Sequence, residues 1–322
     1  MVDVAADSAI FRGRGKQGQS FAVSLNNLLE PCGLTFTFGP HNAAYRDLMR
    51  ESLSAGDGTG VKVKIVDSGL SSSASMTPKS RTNIVDPANP TDVDDHRGHG
   101  TAVAEIIHAM APRAELLIYK VVKGTQPITE WDVLAALCDD ESADVINLSL
   151  AFGLRSRNCA QCGRQSHSSR SIVFEGTLRQ LTKVSQDTLI VAAAGNGGVN
   201  PLVYPARFRE AVAIGALDST ATRSSTSNYG NVDHKQAAHG SLFFAPGGSG
   251  AESVGSTSNG ASYNGTSFAA AYASGLIAKL KSDPSYAGNA SHLLQMVRKQ
   301  ANQNPAMTGF VSADHGNGLV QL

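Results

Sequence analysis

From residue 61 onward the chain alternates two kinds of apolar pattern. Short apolar runs at Val61 to Val66, Glu115 to Val122, Asp144 to Leu150, Thr188 to Ala194 and Ala211 to Ala216 read as buried strands. Segments with helical spacing lie between and after them. Thr101 to Met110 places Val103, Ile106, Ile107 and Met110 on one face. Thr129 to Asp139 reads as a helix with Thr129 as N-cap and Asp132 three residues on. Ile172 to Gln186, Thr266 to Lys281 and His292 to Asn302 are further helices. Strands alternating with helices predict an α/β fold of three layers, a mostly parallel sheet with helices on both faces. Right-handed crossovers then align the carboxyl ends of the strands along one edge, where sites form.

Residues 1–57 lack that rhythm. They offer only Phe21 to Leu25 and a possible helix around Ala43 to Leu53. Ser54-Ala55-Gly56-Asp57-Gly58-Thr59-Gly60 reads as a linker. The expected division is therefore an N-terminal extension or pro-segment-like region, 1–57, followed by one catalytic-sized domain, 58–322. Gly-rich turns and few aromatics suit a tightly packed α/β protein.

Lys plus Arg and Asp plus Glu balance at 27 each, so the overall charge gives no reason to expect nucleic acid or an anionic membrane as partner. No apolar run approaches the length of a membrane span. Charged residues from Asp3 to Lys16 interrupt the start, and no signal-peptide core follows. Four cysteines are too few for a disulfide framework. These features lead to the expectation of a cytoplasmic protein.

Candidate chemistry sits at the ends of these elements. Asp67 in Val66-Asp67-Ser68-Gly69 directly follows a strand. His99 in His99-Gly100-Thr101-Ala102-Val103-Ala104 stands at a helix start. Ser267 lies in Asn264-Gly265-Thr266-Ser267-Phe268-Ala269-Ala270 at another. Together they supply an orienting carboxylate, a base and a nucleophile. A helix N-terminus disfavours positive charge on His99, which keeps the imidazole available as a base. A fourth motif, Ala194-Gly195-Asn196-Gly197, ends a buried strand with a side-chain amide able to donate to an oxyanion. Each alone has an ordinary explanation: a turn at Asp67, a cap at His99 or Ser267, an Asn-Gly turn at Asn196. Gly247-Gly248-Ser249-Gly250 hints at a dinucleotide loop. The next clear helix opens instead at Gly265-Thr266-Ser267, so no phosphate loop fits.

On these motifs, residues from about 60 to 322 resemble the subtilisin-like serine peptidases, the subtilase family. Supporting segments are Val145 to Leu150, Tyr204-Pro205-Ala206, Ser227-Asn228-Tyr229-Gly230, Phe244-Ala245-Pro246-Gly247 and Gly316 to Val320. The resemblance implies a triad of Asp67, His99 and Ser267, with Asn196 in the oxyanion hole. It implies an endopeptidase acting on polypeptides through an acyl-enzyme, with no cofactor for the chemistry. It places Ser149, Leu150 and Ala151 on one wall of the substrate cleft. Lys123, Gly124 and Thr125 would form the other, pairing with substrate as an added strand. Structural calcium is frequent in the family, but no site can be assigned from the sequence. A peptide-processing or ligating relative and a silent polypeptide-binding domain are the rival readings.

Three positions depart from the family pattern. Glu105 and Ala271 replace the usual Gly and Pro inside helices, where both are good helix formers. Ala151 stands where Gly is usual and would narrow the cleft by a methyl group. Asp92, Asp94 and Asp95 precede His99, and two readings stand: carboxylates bordering the cleft, which would favour a basic substrate residue, or a solvated turn neutralised locally by His96 and Arg97. The Arg- and Ser-rich stretch from Phe152 to Arg170 carries Cys159 and Cys162, which leave zinc, a disulfide and free thiols open and are expected to be dispensable for the chemistry.

Overall fold

A computed structural model describes residues 33–124, 126, 128–151, 170–230, 241–286, 288–303, 307–311 and 315–321. The first elements in chain order are β1 (Phe36–Phe38), α1 (Asn42–Leu48), β2 (Lys62–Asp67) and β3 (Ser80–Asn83). Next come α2 (His99–Met110), β4 (Glu115–Lys120), α3 (Glu130–Leu137), β5 (Val145–Leu148), α4 (Ile172–Val184) and β6 (Leu189–Ala193). The remainder are β7 (Ala211–Leu217), β8 (Ser241–Pro246), β9 (Gly255–Thr257), β10 (Ser262–Tyr263), α5 (Thr266–Lys281) and α6 (Ala290–Gln303). Sequence periodicity placed the long helices within a few residues. It gave no bounds for β8, and it did not find β1, β3, β9 or β10, the last four of which are short.

Seven parallel strands form the central sheet in the order β3-β4-β2-β5-β6-β7-β8. In the chain α2 lies between β3 and β4, and α4 between β5 and β6. Helix α2 packs with α5 and helix α3 with α4, one pair on each face of the sheet. The order reverses between β2 and β5, which opens a crevice at their carboxyl ends. Side-chain alternation along β2 agrees. The Lys64 amine reaches the carbonyl of Ala136 on α3, and the Asp67 carboxylate reaches α2 on the other face.

Helix α5 is buried at every position except Lys279 and Lys281, so it is a central helix and not a surface one. It packs on α2 and across β5 to β8. Gly275 makes this possible: a Cβ there would stand 2.5 Å from the Met110 Cβ. Ala271 is fully buried in this layer. Glu105 does more than favour a helix. It is buried on α2 and accepts hydrogen bonds from the Ser75 N–H at 2.7 Å and the Ser75 hydroxyl at 2.5 Å. The residue thus ties the loop after β2 to the helix.

From residue 33 the N-terminal region packs on this core. Tyr45 and Met49, one helical turn apart, are fully buried. Strand β1 pairs with β9 in a small antiparallel sheet completed by β10. The stretch from Ser54 to Gly58 is strapped down, not free like a linker. Asp283 accepts hydrogen bonds from the Ser54 hydroxyl at 2.7 Å and the Ala55 N–H at 2.9 Å, and Ser282 accepts from Asp57 and Gly58.

Hydrogen bonds from Ser285, Ser54 and Ala55 hold the Asp283 carboxyl well below the usual carboxylate range. A depressed folded value contributes stability that is complete above the unfolded value near pH 4 and is lost as pH falls through the folded one. Asp283→Asn is therefore expected to lower stability at neutral pH and to flatten the acid limb of a urea-midpoint profile below about pH 4. An acid limb as steep as that of the parent would show that Asp283 does not carry it.

Candidate active site

Asp67 ends β2, His99 opens α2 and Ser267 is the second residue of α5. The His99 Nδ1 lies 2.8 Å from Asp67 Oδ1. An ionised carboxylate only accepts, so Nδ1 carries the proton and Nε2 presents its lone pair. Asp67 Oδ1 also accepts the Ser68 N–H at 2.7 Å, which fixes the carboxylate plane. Its Oδ2 is buried and has no hydrogen-bond partner among the described residues. The imidazole packs on the Phe268 ring, with centroids 5.2 Å apart.

Close backbone approach brings His99 to Asp67. Gly98 has φ of 75°, in the left-handed region, and a Cβ there would collide with the Tyr263 hydroxyl. A Cβ on Gly100 would lie 2.4 Å from the Gly69 carbonyl oxygen and 3.2 Å from the Asp67 Cβ. The first turn of α2 therefore rests directly on the loop that carries the carboxylate. Its N–H groups are satisfied from that side: Ser68 Oγ accepts from Gly100 at 2.9 Å and Asp95 Oδ2 accepts from Thr101 at 2.9 Å.

Ser267 and Ser149 are bonded reciprocally. The Ser267 hydroxyl donates to the Ser149 carbonyl at 3.2 Å, and the Ser149 hydroxyl donates to the Ser267 carbonyl at 2.7 Å. Asn196 is held by Thr266. Its Oδ1 accepts from the Thr266 N–H and the Thr266 hydroxyl, both at 2.9 Å, while the Gly195 N–H donates to that hydroxyl oxygen at 3.1 Å. Two donors on Oδ1 set the orientation of the amide and turn Nδ2 away from Thr266.

Asp67, His99, Ser149, Leu150, Ala151, Asn196 and Ser267 line one cleft that is open to solvent. Gly124 is not in its lining; the Gly124 carbonyl instead accepts from Arg97 Nε at 3.0 Å. Thr125, Cys32, Cys159 and Cys162 lie outside the described residues. Cys138 is an exposed free thiol. Among the described residues no group of three His, Cys, Asp or Glu is placed to hold a metal ion, and no helix is long and apolar enough to cross a membrane.

Asp92, Asp94 and Asp95 are not in the lining of this cleft. Asp95 is fully buried and accepts from the Arg97, Gly98 and Thr101 N–H groups and the Thr101 hydroxyl. It is the carboxylate that caps α2, because the cap residue Gly98 has no side chain to do so. Asp94 lies 3.8 Å from His96, and exposed Asp92 accepts the Asp94 N–H. Two functional contributors went unassigned from the sequence. Thr266 sits inside the serine motif without an obvious role. Arg97, read only as a local counter-charge, lines the cleft.

A sequence profile of the subtilase family matches residues 58–317. The chain belongs to that family. It is 31% identical over 274 residues to M-protease of Shouchella clausii (strain KSM-K16), covering 80% of this chain and 64% of that protein. It thus spans slightly less than two thirds of the length of that relative. Identity is also 31% over 274 residues to Subtilisin Savinase of Lederbergia lenta, there covering 90% of the relative. A solved structure described as S41 Psychrophilic Protease superposes with a TM-score of 0.67 at 23% identity, over 87% of this chain and 97% of that one.

Removing the Thr266 hydroxyl takes one bond from Asn196 Oδ1 and the acceptor from the buried Gly195 N–H. Thr266→Val is expected to destabilise the fold by about 1–3 kcal/mol in denaturant titrations. Turnover should fall while KM stays near the parent value. A loss confined to KM would show that Thr266 does not position the oxyanion donor.

Proposed function

We propose that the protein is a serine endopeptidase that cleaves polypeptides through an acyl-enzyme. The observation that carries this reading is the Asp67–His99 hydrogen bond in a cleft lined also by Ser267 and Asn196. In the resting arrangement the Ser267 proton is directed to the Ser149 carbonyl. A side-chain rotation turns it to His99 Nε2. The base then takes the proton as Oγ attacks the scissile carbonyl, and later gives it to the leaving amine. Asp67 holds the tautomer and stabilises the imidazolium. Its buried, unsatisfied Oδ2 leaves the carboxylate poorly solvated, which strengthens its attraction for that cation.

The oxyanion falls to Asn196 Nδ2 and the Ser267 N–H at the start of α5. The amide is fixed before substrate arrives, so little reorganisation accompanies charge development. No step calls on a metal, and structural calcium remains an expectation of the family without a residue set here.

Ser267→Ala is expected to abolish both hydrolysis of peptides and labelling by a fluorophosphonate, with an unchanged circular dichroism spectrum. Labelling that persists at another serine would remove the assignment. Asn196→Ala is expected to lower kcat by about 10²–10³-fold with little change in KM, the loss already established for one oxyanion donor in subtilisin itself. A rise in KM at unchanged kcat would assign Asn196 to ground-state binding.

A further inference from the structure

Among the described residues the titratable or charged side chains in the lining of the cleft are Asp67, His99 and Arg97. The first two face each other. Among the described residues Arg97 is the fixed charge left for the substrate to meet, and its sign is opposite to that of the acidic stretch beside it. Asp95 is turned inward under α2.

Arg97 is built to stay in place. Its Nε donates to the Gly124 carbonyl at 3.0 Å and its Nη2 to the Gln126 carbonyl at 2.9 Å. The Arg97 carbonyl accepts from the Tyr263 hydroxyl at 3.1 Å, so the backbone is anchored as well. Both guanidinium partners are neutral oxygens. Five N–H donors in a planar fork leave three beyond these two bonds. Asp67 and Asp95 act on the group only through space, and no carboxylate among the described residues forms an ion pair with it. A half-buried cation clamped by carbonyls alone is incompletely compensated, and a carboxylate entering the cleft completes it with charge-assisted, geometrically specific hydrogen bonds.

We propose that Arg97 is a specificity-determining residue that selects a substrate carboxylate close to the scissile bond. An Asp or Glu side chain and the free C-terminus of a peptide present the same chemistry. The proposal rests on the peptidase reading above for its position in the reaction, though not for the binding it describes.

The test uses C-terminally amidated peptides with Asp, Asn or Lys placed in turn at each position within three residues of the cleaved bond, and free-acid versions of the Asn set. Active enzyme is counted by fluorophosphonate labelling, so misfolded protein does not enter the rates. At one position kcat/KM for Asp is expected to exceed that for Asn by about 10- to 100-fold. Arg97→Gln should level the two, and Arg97→Glu should reverse the order so that Lys is preferred. A preference for free acids over amides that disappears in Arg97→Gln would support selection of the chain terminus as the carboxylate source. If Arg97 serves only to clamp the wall, both variants will slow all peptides in proportion and leave the ratios unchanged, which overturns the proposal. Equilibrium binding of the same peptides to Ser267→Ala reads the ratio without turnover. Failure to hydrolyse any peptide would therefore remove the peptidase reading while the Asp-to-Asn binding ratio still decides the role of Arg97.

Discussion

Helices α2 and α5 run side by side in the same direction, and the site depends on that contact. At one end the rings of His99 and Phe268 touch; at the other, Gly275 faces Met110 closely enough to exclude any side chain. Two contacts so far apart along both helices fix their relative rotation as well as their distance. The first residue of α2 is the proposed base and the second residue of α5 the proposed nucleophile, so the packing of two helices sets the geometry of the proposed chemistry. Their N-termini also converge on one cleft. Aligned peptide dipoles there favour negative charge, the kind that develops when a carbonyl is attacked.

Much of this was legible in the sequence because the governing patterns are local. The run of small residues after Ser267 marks a helix that must be buried, and its limits, Thr266 to Lys281, coincide with the helix observed. Thr129 was readable as a cap from its spacing to Asp132, whose N–H it accepts at 3.1 Å. What escaped was set by partners far along the chain. Strand β1 has three residues and exists by pairing with β9, more than two hundred positions later. Strand β3 is the polar sequence Ser-Arg-Thr-Asn at the sheet edge, where no apolar alternation is required.

Asp95 illustrates the same limit at the site. Asp92, Asp94 and Asp95, all before His99, look alike in sequence. Only the left-handed turn at Gly98 folds one of them under the helix, where four donors await it. That turn withdraws a negative charge from the rim, and Arg97, held on the wall by Gly124 and Gln126, remains. Composition alone cannot give the sign of a cleft, because it depends on which charges the backbone turns inward.

The distribution of rigidity follows from what each group has to do. Where charge develops, the parts are locked: Asn196 by two donors from Thr266, Thr266 by burial and by the Gly195 N–H. Where a proton moves, one bond is loose. The Ser267 hydroxyl is held to the Ser149 carbonyl at 3.2 Å, long for an O–H donor, while the return bond from the Ser149 hydroxyl is 2.7 Å. The strong bond positions the backbone of Ser267, the proposed nucleophile, and the weak one lets its side chain turn. A hydroxyl locked as firmly as the Asn196 amide would need that bond broken before every attack, raising the barrier. A loosely held amide would have to be ordered in the transition state, with the same result.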